Sequence, residues 1–315
     1  MLRSFEKAII EKTQASISLI PEYPYLANYM QHFGHGMTRG KFRKYLPKNS
    51  WQPNGEIGWY ILMGPENYQL DLYKDWDKNL KTKILYVYDT FPSQYPLIKR
   101  LCQDKRWDVM ITSFNDAVED LQRITGCQWH CVEQAADEYL FTGADFEQKT
   151  IHFSAYGRRY PALHEVVKEF CRKNGLYYDY TTHDSRHPTA DSTELYKQYA
   201  WHLNHSLFTF SWPVEFTNPT RAGHLHPITC RWFEAMAAGT VIIGRKPGNV
   251  IFDKWLADDL VIELDPNAPK NELLTNLEKI WERRKELHDT AQKLRTQVAG
   301  KNSWNERVHR ILSLL

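Results

Sequence analysis

The chain has 315 residues, of which 42% are hydrophobic and 25% are charged, and its formal net charge is +2. This is ordinary globular composition, and the length suits one large domain or two of medium size with a sizeable core. The basic residues are scattered rather than gathered in a stripe, which speaks against a nucleic-acid-binding protein. No stretch approaches the ~20 consecutive apolar residues of a membrane span.

The cysteines and histidines favour neither a disulfide framework nor a metal site. The five cysteines are Cys102, Cys127, Cys131, Cys171 and Cys230. Their odd number and the lack of a C-x-x-C pair are typical of free thiols in a reducing compartment. The histidine pairs His202 with His205 and His224 with His226 lack a closed four-ligand spacing, so we expect no metal. The sequence "MLRSFEKAIIEKTQ" lacks the apolar core of a signal peptide, which predicts a cytoplasmic protein.

Short apolar runs alternate with helical patterns along the chain. In the first part, strands are predicted at residues 83–88, 107–113 and 127–133, and helices at 92–104 and 115–125. In the second part, strands are predicted at 150–155, 176–181, 205–211, 240–244 and 260–264. Helices are predicted there at 161–175, 192–204 and about 227–238, followed by a long polar helix at about 270–298.

This alternation predicts an α/β protein with parallel sheets and helices on both faces. Ligands of such folds bind at the edge where the strands end. The polar segment 141–149 marks the boundary between two doubly wound domains, residues 1–142 and 143–302, with a cleft between them. The first 60 residues show the weakest secondary-structure pattern. No predicted strand leads into a G-x-G-x-x-G loop, which speaks against a dinucleotide-binding domain at the start of the chain.

The stretch "HPITCRWFEAMAAGTVIIG" places one acid, Glu234, in a small and apolar run. Pro227 and Thr229 suit the first turn of a helix, and Gly239 suits its C-terminal end. Free N–H groups at such a helix start form a natural seat for a diphosphate. A carboxylate further along can accept hydrogen bonds from a ribose diol. The alternative is an Arg231–Glu234 pair on a solvated face.

Four segments in order resemble the group 1 GT-B glycosyltransferases, and most of all the branch of spore-maturation glycosyltransferase-like proteins. "RWFEAMAAGTVIIG" is similar to the family's "EAMAxGxPVV" signature, with the R-x-F-E-A form of that branch. The other three matching segments are "CVEQAADEYLF", "IHFSAYGRRYPAL" and "SWNERVHRILSLL". The resemblance implies two Rossmann-like domains, a nucleotide-sugar donor held mainly by residues 143–302, and a final helix, 303–315, that packs back on the first domain.

The resemblance also implies roles for single residues on the donor side. Glu234 would bind the donor ribose, while Gly157 and Arg158, with Arg159 beside them, would lie over the diphosphate. Arginine and the helix start would neutralise the leaving diphosphate, so neither a metal nor a cofactor is expected.

One departure from the family pattern concerns the first Glu of the usual E-x7-E motif, which is His226 here. This leaves the donor sugar and the stereochemistry open, and His226 either contacts the donor or caps and packs. Arg221 and Arg231 are further diphosphate candidates. Arg245 and Lys246 follow a strand end and are either ligand contacts or solvated loop charges.

The acceptor side offers three candidates for a general base, which an inverting transfer needs within hydrogen-bond reach of the acceptor hydroxyl. Asp89 ends a predicted strand, and its alternative role is to cap the helix near Pro92. His35 lies between glycines in "FGHGM", and Glu66 follows another predicted strand.

The sequence therefore predicts a metal-independent glycosyltransferase that uses a nucleotide-sugar donor and a glycan or lipid-linked acceptor. Cell-surface polysaccharide assembly and peripheral membrane contact are associated expectations. Two alternatives stay open: a GT-B-shaped sugar-nucleotide epimerase, and a non-catalytic scaffold or sugar-nucleotide-binding module.

Overall fold

The computed structural model describes residues 2–17, 48–65, 69–103, 106–157, 159–181, 192–255, 261–298 and 300–315. None of the helices in these ranges is long and apolar enough to cross a membrane.

The chain divides into two compact units. The first contains Thr13–Glu133 with Leu314–Leu315, and the second contains Met1–Lys12 with Gln134–Ser313. The predicted boundary lies after residue 142, whereas residues 134–142 belong to the second unit. The predicted cleft between the two domains stays a prediction.

The C-terminal helix Trp304–Leu312 belongs to the second unit. Its Trp304 ring stacks on Phe5 of the N-terminal helix, with ring centroids 4.8 Å apart. Asn305 donates a hydrogen bond to Glu138. Phe5 and Glu138 belong to the same compact unit as the helix. The packing of this helix on the first domain stays a prediction.

The described strands of the first unit are β1 Asn49–Ser50, β2 Gly55–Leu62, β3 Tyr73–Lys74, β4 Leu80–Val87, β5 Val109–Thr112 and β6 Trp129–Cys131. They form a parallel sheet whose strands pair in chain order, β2-β4-β5-β6, and a short pair of β1 with β3. Its described α-helices are Tyr95–Cys102 and Val118–Thr125. Ile84, Leu85 and Ile111 are fully buried at the centre of the sheet.

The second unit contains a five-stranded parallel sheet in the order β11-β10-β9-β7-β8. Its described strands are β7 Ile151–Ala155, β8 Tyr178–Tyr180, β9 Ser206–Ser211, β10 Val241–Gly244 and β11 Val261–Glu263. Its described α-helices are Leu2–Thr13, Pro161–Lys173, Ser192–Asn204, Val214–Thr217, Pro219–Ala222, Cys230–Ala237, Val250–Trp255, Lys270–Glu282, Arg284–Val298 and Trp304–Leu312. Phe153 and Phe208 stack in the core, with ring centroids 5.2 Å apart.

The strand order of the second sheet contains a switch point. The chain moves from β7 out to β8 and then returns to place β9 on the other side of β7. Since crossovers are right-handed, the reversal puts the helices before and after it on opposite faces of the sheet. A crevice opens at such a point, outside the carboxyl ends of the strands, and it is where doubly wound folds bind ligands. The carboxyl ends of β7 and β9 are therefore the place to look for a site.

The predicted α/β fold with parallel sheets is confirmed, and each predicted strand is present within a few residues. The long polar helix is two helices, because the chain leaves helical geometry at Arg283, the C-terminal cap of Lys270–Glu282. Gly126 and Gly239 end helices with φ of 68° and 58°, a left-handed conformation that favours glycine.

Candidate functional site

The helix Cys230–Ala237, here called the site helix, carries Glu234 on its buried side. Glu234 is 1% exposed. The hydroxyl of Tyr196 donates to its Oε1 at 2.7 Å, and that of Tyr199 donates to its Oε2 at 3.1 Å. Burial raises the pKa of Glu234, while the two tyrosine hydrogen bonds act in the opposite direction. The carboxylate is thus held by a second helix, Ser192–Asn204, rather than displayed on a solvated face.

Arg231 lies one turn earlier on the site helix and is exposed. Its guanidinium donates a hydrogen bond to the carbonyl oxygen of Tyr156, just after β7. It also lies against Gly157: a Cβ built on this glycine would come within 2.2 Å of Arg231 Nη2. Gly157 has a φ of 93°, a backbone conformation that favours glycine, and the guanidinium fills the space where a side chain would begin. Gly157 and Arg231, two predicted site residues that are far apart in the sequence, are therefore in contact.

Tyr156 is anchored on its other side as well. Its hydroxyl donates to Asp179 Oδ2 at 2.9 Å, and the same oxygen pairs with His202 Nδ1. The Tyr156 ring packs edge-on against Tyr199, with centroids 5.3 Å apart. Burial, with the Asp179 charge in support, raises the pKa of the Tyr156 phenol, so it stays protonated as a donor. The carbonyl that receives Arg231 thus belongs to a residue with little freedom to move.

These groups lie at the switch point of the second sheet. Tyr156, Tyr199 and Arg231 line a cavity of about 10 Å³ together with Ser211, the last residue of β9. That volume accommodates about one water molecule. A larger ligand therefore does not fit inside this cavity.

The start of the site helix differs from the prediction. The helix begins at Cys230, and Thr229 is its extended N-cap. Pro227 precedes the helix and is buried, so placing it in the first turn was wrong. The Cys230 N–H donates to Gln134 Oε1 at 2.7 Å. One N–H of the predicted diphosphate seat is therefore already engaged, because a side chain 96 positions away in the chain reaches it.

A second cluster lies where β9 and β10 end. His226 Nδ1 pairs with Glu215 Oε1 at 3.3 Å, and the Gly248 N–H donates to the same oxygen at 3.4 Å. Asn249 Nδ2 donates to the His226 carbonyl oxygen at 2.8 Å. The Glu215 side chain is 9% exposed, whereas that of His226 is 44% exposed. The His226 ring is thus partly exposed to solvent and is held by the buried Glu215 carboxylate.

A family model described as glycosyl transferase-like matches residues 134–313, which cover both clusters. The chain belongs to this family. The matched residues nearly coincide with the second compact unit, so the match concerns the part of the chain that contains the switch point. The finer assignment to the spore-maturation branch stays a prediction.

One solved structure supports the fold, and a second is reported for comparison. The crystal structure of TarM has a TM-score of 0.51 and 12% identity, over 82% of this chain and 54% of TarM. A glycosyltransferase from Rickettsia africae ESF-5 has a TM-score of 0.49 and 12% identity, over 97% of this chain and 85% of the other. At this identity the likeness to TarM shows fold alone. This chain has a GT-B-type fold built from Rossmann-like units. This chain spans about half of TarM, and no curated protein matches it.

Three further predicted residues lie at two places in the second unit: Arg245 and Lys246 follow β10, and Arg221 is on a short helix. Arg245 follows β10 and stacks its guanidinium on the Phe216 ring at 4.1 Å. The Lys246 N–H donates to Glu263 Oε1 at 3.4 Å. Arg221 is exposed on the short helix Pro219–Ala222.

Arg159 stacks over Tyr180 at 5.2 Å, and its Nη1 is buried without a hydrogen-bond partner. Its predicted place over the diphosphate stays a prediction. Arg158, His35 and Glu66 lie outside the described residues.

Asp89 belongs to the first unit, where it follows β4, and its N–H donates to the Met63 carbonyl at 2.8 Å. The helix it was expected to cap begins only at Tyr95, after a 3-10 turn whose N-cap is Phe91. Within the described residues, no group of three or more His, Cys, Asp or Glu side chains is arranged to hold a metal ion.

Sequence reasoning missed Tyr196, Tyr199, Asp179 and Glu215. The two tyrosines carried a usable signal, since an i, i+3 spacing puts both on one face of a helix. Glu215 carried none, because nothing in its local sequence sets it apart from a solvated loop carboxylate.

Proposed function

We propose that this protein transfers a sugar from a nucleotide-sugar donor to a hydroxyl acceptor. The observation that carries the proposal is the Arg231 guanidinium, exposed and seated on Gly157 at the switch point of the second sheet. A planar guanidinium at that point suits a diphosphate, which it can bind through two parallel hydrogen bonds. Membership of the glycosyl transferase-like family supports the same conclusion.

The Arg231 guanidinium would do two things in such a reaction. It would hold the diphosphate of the donor, and it would stabilise the charge that grows on this leaving group as the glycosidic bond breaks. Its contact with the Tyr156 carbonyl orients it before the ligand arrives, so little reorganisation is needed. We propose that arginine, rather than a metal ion, supplies this stabilisation.

Glu234 is proposed to act on the ribose of the donor. Each carboxylate oxygen can accept more than one hydrogen bond, so a diol can add to the tyrosine hydroxyls. Because Glu234 is 1% exposed, binding requires the helix Ser192–Asn204 to shift Tyr196 or Tyr199 slightly. The predicted general bases, Asp89 and His35, and a glycan or lipid-linked acceptor remain part of the proposal.

One observation favours a second candidate, a non-catalytic member of the fold. Both oxygens of Glu234 already have tyrosine partners, and the cavity beside Arg231 is only about 10 Å³. A site that stays closed would bind no nucleotide and would serve as a scaffold.

The deciding experiment is thermal unfolding against a panel of nucleoside diphosphates and nucleotide sugars. A ligand at about 100 times its Kd adds about 2.7 kcal/mol to the free energy of unfolding, which gives a visible rise in Tm. We expect a rise for one nucleotide, and its loss in Arg231→Gln. Arg283→Gln is the matched control, since Arg283 is 61% exposed and pairs only locally with Glu286. No rise for any nucleotide would support the scaffold, and an intact nucleotide sugar with an inverted centre after incubation would support the epimerase.

A further inference from the structure

One oxygen of the Glu215 carboxylate has no partner. Oε1 is engaged by His226 and by the Gly248 N–H. Oε2 is buried and has no hydrogen-bond partner, in a side chain that is 9% exposed. Buried polar atoms are nearly always paired in folded proteins, so an orphan acceptor of this kind needs an explanation. A ligand group that donates a hydrogen bond would supply one.

The pair of Glu215 and His226 is built by three separate segments at one edge of the sheet. Glu215 follows β9, Gly248 and Asn249 follow β10, and His226 precedes the site helix. Gly248 has no side chain, and a Cβ there would be 3.3 Å from His226 Nδ1, so the ring packs closely on the loop. Asn249 holds the His226 backbone. The ring and the carboxylate are therefore fixed relative to each other.

The position of the pair relates it to the proposed diphosphate site. His226 lies five residues before Arg231 in the chain, so their Cα atoms are at most about 18 Å apart. The arginine side chain, a diphosphate and its sugar can together span this separation. The two clusters can thus serve the two ends of one donor molecule.

The chemistry of the orphan oxygen favours a hydroxyl group. A carboxylate oxygen accepts hydrogen bonds and donates none when ionised, so its ligand must be a donor. A metal ion would need further ligands, and the described residues gather no such group. Loss of a hydroxyl from a ligand would leave the buried oxygen unpaired again, which is how proteins reject deoxy analogues.

We propose that Glu215 Oε2 accepts a hydrogen bond from a hydroxyl of the donor's sugar, and that Glu215 positions His226 beside that sugar. This inference rests on the proposed function and assigns the sugar-recognition part of the same site. In this proposal Glu215, which is 11 positions before His226 in the chain, supplies the carboxylate that contacts the sugar.

The test compares two ligands on the full chain: the nucleoside diphosphate that raises the Tm in the panel, and its nucleotide sugar. Glu215→Gln keeps the size of the side chain but replaces one acceptor oxygen by an amide donor. We expect its Kd for the nucleoside diphosphate to stay within about twofold of wild type. Its Kd for the nucleotide sugar should rise about tenfold, equivalent to about 1.4 kcal/mol. Glu194→Gln, an exposed carboxylate paired with Lys197, should change neither Kd.

A second measurement needs no folded Glu215 variant. The wild-type protein is titrated with nucleotide sugars that lack one hydroxyl at a time. We expect one deoxy analogue to bind about tenfold more weakly than the parent, and the others to bind like the parent.

The outcomes separate the two proposals. Equal Kd changes for both ligands in Glu215→Gln, or deoxy analogues that all bind like the parent, overturn the role of Glu215 and leave the proposed function standing. A wild-type protein that binds no nucleoside diphosphate overturns the proposed function and this inference with it.

Discussion

The Arg231 guanidinium occupies the space that a side chain on Gly157 would need. A Cβ on Gly157 would lie 2.2 Å from Nη2 and 2.3 Å from Nη1 of Arg231. Such distances are far below van der Waals contact, so a side chain at residue 157 would displace the guanidinium. The proposed diphosphate site depends on this relationship, because the guanidinium would then leave the Tyr156 carbonyl that orients it.

Gly157→Ala should therefore displace Arg231 and weaken nucleoside diphosphate binding at least tenfold, as measured by calorimetric titration. It should also lower the free energy of unfolding by about 1–3 kcal/mol, because alanine is strained at a φ of 93°. Gly175→Ala is the matched control, since Gly175 has a φ of 65° and nothing lies within 4 Å of its built Cβ. The control should lose stability but no affinity. Equal affinity loss in both variants would contradict the interpretation.

The tyrosine pair should stabilise the ionised form of Glu234. In a Tyr196→Phe/Tyr199→Phe double variant the buried carboxylate loses both donors, which should cost about 1–3 kcal/mol at neutral pH. The pKa of Glu234 is already raised by burial and should rise further in this variant.

A raised carboxyl pKa means that the native state binds more protons than the unfolded state, so stability is lost as pH increases above about 4.5. The deficit of the double variant should therefore shrink between pH 7.5 and pH 5 in urea unfolding. Tyr177→Phe, whose side chain is 54% exposed, is the control with no expected change. A deficit that is constant with pH would mean that the tyrosines contribute packing alone.

Lys149 should make stability depend on pH in the alkaline range. It is 5% exposed, and its Nζ donates to the Ala238 carbonyl at 2.9 Å, just past the end of the site helix. Burial, with the Arg295 charge in support, lowers its pKa to about 7.

Between pH 7 and 10.5 the unfolded lysine is protonated while the native one is neutral. The unfolded state then binds more protons, so stability rises with pH, by at most about 1.4 kcal/mol per pH unit from this group. The stability difference between wild type and Lys149→Met, followed by urea unfolding, should change across this window. Lys168→Met, on the surface, should leave the slope unaltered. Parallel curves for wild type and Lys149→Met would show that Lys149 keeps an ordinary pKa.

Arg307 should be a main stabilising contact of the C-terminal helix. It is fully buried and donates to the Lys301 carbonyl, to Asn302 Oδ1 and to the Gln134 carbonyl, at 2.8, 2.9 and 3.4 Å.

Arg307→Met retains most of the apolar stem but leaves these acceptors without their donor, at about 1–3 kcal/mol for each one that stays buried. We expect a loss of at least about 3 kcal/mol in urea unfolding. Arg283→Met, exposed and locally paired, should change stability by about 0.5 kcal/mol or less. Similar losses in both variants would mean that Arg307 contributes no more than a surface pair.

The strands were predictable because each carries its own signal. The runs that became β7 and β9 are short, apolar and bounded by turn residues, and such patterns do not depend on distant parts of the chain. The helix end at Gly239 followed from the same local chemistry. The start of the site helix was not predictable, because Pro227 has the local signature of a first turn while the N-cap is Thr229 and Gln134 satisfies the first N–H.

The site was predictable to the extent that single residues were unusual in their surroundings. Glu234 was conspicuous in an apolar run, and Gly157 and Arg231 followed from the family pattern. The hydrogen-bond partners of such residues were not predictable. Glu234 accepts hydrogen bonds from tyrosines that are 35 and 38 positions away in the chain, and Glu215 accepts one from Gly248, which is 33 positions away.

The sequence by itself thus determined the α/β class, the strands and the candidate site residues Gly157, Arg231 and Glu234, since hydrophobic periodicity and turn chemistry are properties of short segments. Only the tertiary structure decided that Arg231 lies on Gly157, that tyrosine hydroxyls hold Glu234, and that one buried oxygen of Glu215 has no hydrogen-bond partner. These relationships depend on strand order and on the packing of helices against the sheet. They bring together residues whose separation along the chain contains no information about their distance in space.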